Sequence, residues 1–186
     1  MIKLVIFDMD DTIVHNSIPF SYMRERILRE LKIDNAPQHL YEFLRDIGAH
    51  ALAVLEREEL KRAKTSFVDK DLDFVLMSLK KRGIKVAILT RNTLKAAKVA
   101  LGKRADEFDA IVGRDSGFRP KPAPDGVIYL MNRFGTKPWE TLMVGDYDYD
   151  IEAGKRAGCI TVRIGNGEAD FNIKNLKEIL RIVEQF

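Results

Sequence analysis

Lys3-Leu4-Val5-Ile6-Phe7-Asp8-Met9-Asp10-Asp11-Thr12, near the start of the chain, is a short apolar run that ends in acidic residues. Leu4 to Phe7 have the continuous apolar character of a buried β-strand. Acids at the end of such a strand lie at the sheet edge where open α/β folds bind ligands. Asp8 and Asp10 should point the same way, and two close carboxylates have pKa values that move apart. The pattern predicts an ionised nucleophile or metal ligand beside a proton donor; an acidic turn is the alternative.

Short apolar segments alternate with helical patterns along most of the chain. Strands are predicted at Leu4–Phe7, Lys85–Thr90, Ala110–Val112, Thr141–Gly145 and Ile160–Ile164. Helices are predicted at Leu72–Arg82, Thr93–Lys103, Pro124–Phe134, Ile151–Ala157 and Ile173–Val183, the last with Asn172 as its N-cap. This alternation predicts an α/β fold with a Rossmann-like, mostly parallel sheet and right-handed crossovers.

One segment breaks the alternation, because no strand is predicted from about Ser17 to Thr65. Helical spacing of apolar residues is found instead in Pro19–Leu31, Pro37–Ile47 and Ala49–Lys64. The pattern predicts a small all-helical insertion, residues 17–65, in an α/β core made of residues 1–16 and 66–186. A long crossover that simply packs on the core is the alternative interpretation.

Three further segments accompany the acidic stretch in a fixed order. They are an apolar strand ending in Thr (Val86–Thr90), a Lys between prolines (Arg119–Pro122) and a Gly-Asp followed by a second Asp (Val144–Asp150). Together the four segments resemble the motifs of the haloacid dehalogenase superfamily, over nearly the whole chain. The chain is most similar to its small phosphatases of the phosphoglycolate phosphatase type. The resemblance implies that the helical insertion is a cap that closes over the active site.

The resemblance also implies a two-step reaction carried by the first motif. Asp8 would be the nucleophile and form an aspartyl phosphate, which splits one difficult step into two. Asp10 would be the general acid and base, and its backbone carbonyl would bind the metal. Thr12 is expected to fix the turn. Asp11 departs from the family, which commonly has Gly there, but Asp tolerates left-handed backbone geometry better than most residues.

Phosphate-binding groups are expected after the second core strand and in the third motif. The Thr90 hydroxyl and the chain at Arg91 and Asn92, where the next helix begins, would hold phosphate oxygens. Lys121 lies in a proline-rich stretch that cannot be regular helix, so a stiff backbone could direct its ammonium at the phosphate and at Asp8. Each of these residues also has an interpretation without a ligand. Thr90 could simply end a strand, Arg91 could be an exposed side chain, and Lys121 could be solvated.

A metal site is predicted from the acidic residues of the first and fourth motifs. Asp146 follows a strand, and Asp150 lies four residues on, one turn into the next helix, so both can face one point. With Asp8 and Asp10 they supply the hard oxygen ligands that Mg²⁺ prefers. Acidic residues in the first turn of a helix can also serve only to stabilise the helix dipole. This alternative to metal binding is sufficient to explain Asp148.

Composition excludes several classes of function. The 186 residues include 31 basic and 28 acidic residues, a net charge of +3, without a basic block of the kind that binds nucleic acid. No apolar run approaches the length of a membrane span, and the apolar start is too short for a signal peptide. The single cysteine, Cys159, excludes an intrachain disulfide. We therefore expect a cytoplasmic protein with no nucleic-acid or membrane partner and an undetermined oligomeric state.

The predicted activity is Mg²⁺-dependent hydrolysis of a small phosphorylated metabolite. Specificity should lie in the cap, where His50 or Arg45 could face substrate. A phosphomutase shares the Asp-x-Asp pattern and is the alternative within the superfamily. A non-catalytic receiver-like module that senses phosphate is the alternative from another class, but receivers place the phosphoacceptor after a later strand and lack the helical insertion.

Overall fold

Eight β-strands are present in the computed structural model, which describes residues 1–186. In chain order they are β1 (Leu4–Phe7), β2 (Val14–Asn16), β3 (Ser66–Val68), β4 (Lys85–Leu89), β5 (Ala110–Val112), β6 (Thr141–Gly145), β7 (Ile160–Ile164) and β8 (Phe171–Ile173). Six of them form one parallel sheet in the order β5-β4-β1-β6-β7-β8. The central place of β1 between β4 and β6 is that of a doubly wound α/β fold, which confirms the predicted fold class.

Eight α-helices accompany the strands. They are α1 (Phe20–Leu31), α2 (Leu40–Ile47), α3 (Ala49–Lys64), α4 (Leu72–Lys81), α5 (Leu94–Leu101), α6 (Asp125–Phe134), α7 (Asp148–Ala157) and α8 (Ile179–Val183). Val5 and Phe7 of β1 pack with α4, α5 and α8, whereas Leu4 and Ile6 pack with α6 and α7 on the opposite face. Helices on both faces explain why β1 is apolar throughout. None of the helices is both long and apolar enough to cross a membrane.

Three adjacent strands deliver the predicted motifs to one edge of the sheet. In the register of the sheet, Phe7 at the end of β1 lies beside Ile88 of β4 and Val144 of β6. Because the three strands are parallel, the chain leaves all of them at the same edge. Asp8 and Asp146 therefore come close together although they are far apart in sequence.

The helices α1, α2 and α3 lie between β2 and β3 and have an apolar core of their own. Its buried members are Met23, Ile27, Leu40, Leu44, Ala51, Val54 and Leu55. The strands β2 and β3 pair antiparallel, so the chain enters and leaves this helical unit through one two-stranded ribbon. The ribbon was not predicted, because neither Val14–Asn16 nor Ser66–Val68 is a continuous apolar run, as Ala110–Val112 is. The treatment of residues 17–65 as a separate domain stays a prediction.

The predictions for three helix starts were wrong, and one of these, the helix predicted from Ile151, begins at Asp148. Asn172 is not a helix N-cap but the middle residue of β8, which pairs with Arg163 of β7 and so extends the sheet by one strand. Backbone pairing with an open sheet edge took precedence over the helical spacing, and α8 begins only at Ile179. The helix predicted from Pro37 begins at Leu40.

The apolar core of the helical unit allows a test of its independence from the sheet. Leu44 is fully buried there, and its replacement by Ala should destabilise the fold around it by about 2–5 kcal/mol. If the unit opens separately, Leu44→Ala should speed amide hydrogen exchange in α1–α3 while β1 and β6 stay protected, as measured by mass spectrometry.

The matched control is Leu79→Ala, because Leu79 is equally buried but lies in α4, against the sheet. In Leu79→Ala the amides of β1 and β6 should also exchange faster, unlike in Leu44→Ala. Equal loss of protection throughout the chain in Leu44→Ala would show instead that the helical unit and the sheet open as one.

Candidate active site

A cavity of about 530 Å³ lies at the sheet edge where β1, β4 and β6 end. Its walls come from the α/β core and from the helical unit. Of the predicted site residues, those that line it are Asp8, Asp10, Arg91, Asn92, Lys121, Asp146 and Asp150. Thr90 is buried and does not line the cavity; its hydroxyl accepts a hydrogen bond from the Asn92 N–H at 3.1 Å. The structure thus gathers the four motifs at one place.

Three carboxylates form a cluster on the core side of the cavity. One oxygen each from Asp8, Asp146 and Asp150 lies within 4.8 Å of the others. Asp150 is held in place locally, because it accepts a hydrogen bond from the Tyr147 N–H at 3.1 Å in the first turn of α7. Gly145 precedes this turn, and a side chain there would collide with the Asp150 carboxylate. Glycine is therefore required at position 145 of the fourth motif, because any side chain there would displace Asp150.

Lys121 supplies the positive charge inside this cluster. Its ammonium lies 2.5 Å from an Asp8 oxygen and 2.6 Å from an Asp150 oxygen, and its side chain is almost fully buried. Burial acts to lower the pKa of Lys121, but the charges of Asp150 and Asp8 outweigh burial and raise it. Lys121 is therefore a buried cation that bridges two acids, not a solvated surface lysine.

One ammonium does not neutralise three carboxylates. Burial, and then repulsion from Asp150, raise the pKa of Asp8 well above its usual range despite Lys121. Burial together with Asp150 and Asp11 raises the pKa of Asp146 to about 6. The cluster has the hard oxygen donors and the excess negative charge that favour a divalent cation. Asp8, Asp146 and Asp150 fit Mg²⁺ in this respect.

The side chain of Asp10 lies outside the carboxylate cluster and has its own donors. It accepts hydrogen bonds from Arg62 at 3.0 Å, from Asn16 at 2.7 Å and from the side chain of Asn92. Burial raises the pKa of Asp10, although Arg62 acts in the opposite direction. Two neighbouring acids thus have different surroundings, as separate catalytic roles require.

The turn that carries the first motif forms although it has Asp11 where the resembled superfamily commonly has Gly. Asp11 adopts left-handed backbone geometry, with φ of 56°, and its N–H donates to the Val14 carbonyl at 2.7 Å. Thr12 donates its hydroxyl hydrogen bond to Asp146 at 3.3 Å, so it links the first motif to the fourth.

Charged residues of the helical unit that were not predicted line the cavity, as Glu59 and Arg62 do, or bind a residue that lines it, as Glu42 does. Arg62 of α3 reaches Asp10, and Glu59 of the same helix pairs with Arg114 at 2.6 and 2.9 Å, with both side chains buried. Glu42 of α2 pairs with Arg91 at 2.8 and 2.9 Å. For Glu59 and Arg62, the only indication in the sequence is that charged residues occur on the face of α3 that becomes buried. The partners of all three residues are distant in the chain, so the pairs could not be predicted.

Arg45 and His50 of the helical unit were the two candidates for contact with substrate from this side. Arg45 and His50 are exposed and lie outside the cavity. Tyr147 and Tyr149 line it instead, and the Arg91 guanidinium lies 4.9 Å from the centre of the Tyr149 ring. Gln38 donates to the Tyr147 hydroxyl at 2.5 Å, so this side of the cavity also joins helical unit and core.

Comparison with known proteins agrees with the geometry. Residues 5–164 match the sequence pattern of the haloacid dehalogenase-like hydrolases. A phosphoglycolate phosphatase from Aquifex aeolicus is 25% identical over 98% of this chain and 97% of the relative. A glyceraldehyde 3-phosphate phosphatase from Methanopyrus kandleri is 29% identical over 100% and 98%. A crystal structure of a predicted phosphatase from Clostridium acetobutylicum superposes with a TM-score of 0.81 at 19% identity, over 100% of each chain.

The raised pKa of Asp146 predicts that Mg²⁺ affinity depends on pH. A ligand carboxylate must be ionised, so protons compete with the cation below the pKa of about 6 and not above it. Calorimetric titration with MgCl₂ should give an affinity at about pH 5 that is roughly tenfold weaker than at about pH 7.5. Binding should also release protons at the lower pH.

Asp148→Asn is the matched control, since Asp148 is exposed, pairs with Arg163 and does not line the cavity. This variant should bind Mg²⁺ as the unmodified protein does, whereas Asp146→Asn should bind it more weakly at both pH values. Equal affinity at both pH values, or equal weakening by the two substitutions, would contradict the assignment of Asp146 as a ligand.

Proposed function

The chain belongs to the haloacid dehalogenase-like hydrolase family, and we propose that it is a Mg²⁺-dependent phosphatase of small phosphate monoesters. The observation that carries the proposal is the buried Lys121, which bridges Asp8 and Asp150 while Asp10 is held by other donors. This arrangement supports a nucleophilic carboxylate and a separate acid–base carboxylate within one cavity.

In the first step, an Asp8 oxygen attacks phosphorus and the ester P–O bond breaks. Protonated Asp10 gives its proton to the leaving oxygen, so an alcohol departs and an aspartyl phosphate remains. Lys121 balances negative charge on Asp8 and on the phosphoryl oxygens. Arg91 and Asn92, which line the cavity, position the phosphoryl group, and Thr90 supports Asn92 from behind them. Other sites of phosphoryl transfer stabilise the transferred group by the same kind of electrostatic interaction.

In the second step, water attacks the phosphorus of the aspartyl phosphate. Ionised Asp10 takes the water proton, phosphate leaves, and the Asp8 carboxylate is restored. The donors on Asp10 suit this step, because Arg62 and Asn16 stabilise its ionised form. Mg²⁺, held by Asp8, Asp146, Asp150 and the Asp10 carbonyl, would supply positive charge to the phosphoryl oxygens throughout.

The helical unit of residues 17–65 is proposed to act as the cap that selects the substrate. It supplies one wall of the cavity and is joined to the core by ion pairs of Arg62, Glu59 and Glu42. The names of the relatives, which include phosphatases of phosphoglycolate and glyceraldehyde 3-phosphate, support a small phosphorylated metabolite as substrate.

A phosphomutase is the alternative within the same family. It would return the phosphoryl group to a sugar phosphate, whereas a phosphatase releases inorganic phosphate to water. Product analysis with sugar monophosphates, by phosphorus NMR, separates the two outcomes. A receiver-like module would give no turnover of any ester.

Substitution of each acid in the first motif tests the division of roles. Asp8→Asn removes the nucleophile, so neither phosphoenzyme nor product should form. Asp10→Asn removes the proton donor and base, which is worth about a hundredfold to ten-thousandfold in rate. With an ester that has a good leaving group, the first step should suffer least, so an acid-stable, hydroxylamine-sensitive label should accumulate on Asp8. A label on another residue, or turnover by Asp8→Asn, would show that the roles are assigned wrongly.

Arg62 is expected to be a positioning residue that acts through Asp10. Loss of one charge-assisted hydrogen bond is worth about 1.5–3 kcal/mol, so Arg62→Gln should lower kcat about tenfold or more with little change in KM. Arg62→Lys should recover part of the loss. Arg57→Gln is the control, because Arg57 lies on the same helix but is half-exposed and pairs with Glu30. A change in KM alone would contradict a role through Asp10.

A further inference from the structure

Five cationic side chains line the cavity, and four of them are already paired with carboxylates. Arg62 pairs with Asp10, Arg91 with Glu42, Arg114 with Glu59, and Lys121 with Asp8 and Asp150. The fifth is Arg24, which lines the cavity from α1 and forms no ion pair. It is therefore the one wall cation whose charge is not balanced by the protein itself.

The guanidinium of Arg24 is fixed in position without being neutralised. One of its Nη atoms donates to the Pro37 carbonyl at 2.9 Å and the other donates to the Ala36 carbonyl. An arginine has five N–H donors, so three remain for a ligand. A planar fork that is already oriented binds a carboxylate or phosphate with less loss of conformational entropy than a free side chain does.

The surroundings of Arg24 suit an organic group that separates two anions. Phe20 lies one helical turn before Arg24, lines the same cavity and is 46% exposed. Leu40, Tyr41 and Leu55 add apolar surface to the same cavity. A cavity of about 530 Å³ has the size typical of sites for ligands larger than a phosphate group.

We propose that Arg24 binds a second anionic group, a carboxylate or a second phosphate, on the leaving group of the substrate. The proposal rests on the proposed function, in which Lys121, Mg²⁺ and the Asp8 side of the cavity take the phosphate that is cleaved. Arg24 then fixes the other end of the substrate, and the apolar wall contacts the part between. Arg24 is a specificity residue in this arrangement and takes no part in the bond changes.

The test compares three phenyl phosphates that differ only in their para substituent. Two are anionic, para-carboxyphenyl phosphate and para-(phosphonomethyl)phenyl phosphate, and the neutral para-carbamoylphenyl phosphate has nearly the shape of the first. The full chain with Mg²⁺ is assayed for released phosphate, and kcat/KM for each anionic ester is divided by kcat/KM for the neutral one. This ratio removes differences in general activity between variants.

In Arg24→Gln the ratio should fall about 10- to 100-fold for at least one anionic ester, the loss expected for a charge-assisted hydrogen bond. The loss should lie in KM, because the contact is the same before and during reaction. Arg24→Lys should recover part of the ratio, since it restores the charge. Arg29→Gln, on the same helix but exposed and paired with Glu25, should leave the ratio unchanged. The ester affected identifies carboxylate or phosphate as the preferred group.

An unchanged ratio in Arg24→Gln would overturn the proposal. If kcat/KM falls equally on all three esters, the ratio is unchanged and the role of Arg24 is structural only. The proposed function can fail separately. If the unmodified chain hydrolyses none of the esters, calorimetric binding of para-carboxyphenyl phosphate decides: binding that weakens about tenfold or more in Arg24→Gln but not in Arg29→Gln supports the anion site. Binding that is equal in all three proteins overturns it.

Discussion

The buried ammonium of Lys121 is the constraint on which the rest of the site depends. Asp8 and Asp150 can lie beside each other in a buried place only because this cation is within 2.6 Å of both. Removing one partner from a buried ion pair costs roughly 3–5 kcal/mol, since the remaining charge is left without compensation. Even so, three carboxylates share one ammonium, and burial, together with repulsion from Asp150 and Asp11, raises the pKa of Asp146 to about 6. A divalent cation would relieve that repulsion, and in the proposed chemistry it would also supply positive charge to the phosphoryl oxygens.

Sheet topology brings these groups together with little loop structure. β1 occupies the middle of the sheet, and Asp8 follows it directly, while Asp146 follows β6 and Asp150 lies in the first turn of α7. Each of these acids therefore lies within a regular element or directly after one. The absence of a side chain at Gly145 lets Asp150 pack against the end of β6. A site built on regular elements holds its geometry more accurately than one built on long loops.

The parts of the site that sequence predicts are the parts that depend on local pattern and parallel strands. An apolar strand followed by an acid places Asp8 correctly, and the same reasoning places Asp146 and Asp150. Lys121 was predicted from its place in a motif, but its complete burial follows only from the packing of the loop. Arg62 and Arg114 could not be predicted, because their partners Asp10 and Glu59 are set by how α3 docks on the core. The wrong helix start at Asn172 has a similar cause, since an open sheet edge is not visible in local sequence.

The ion pairs that join the helical unit to the core connect its position to the chemistry. Buried pairs such as Glu59–Arg114 give little net stability, because desolvation offsets most of the attraction. Their effect is to favour one docked arrangement, since a charge separated from its partner in a partly buried place is costly. In that arrangement the Arg62 hydrogen bond favours the ionised form of Asp10, while burial, the larger effect, raises the pKa of Asp10 and favours its protonated form. In the proposed reaction Asp10 donates a proton in the first step and accepts one in the second, so burial and Arg62 each favour one of the two forms that the reaction needs.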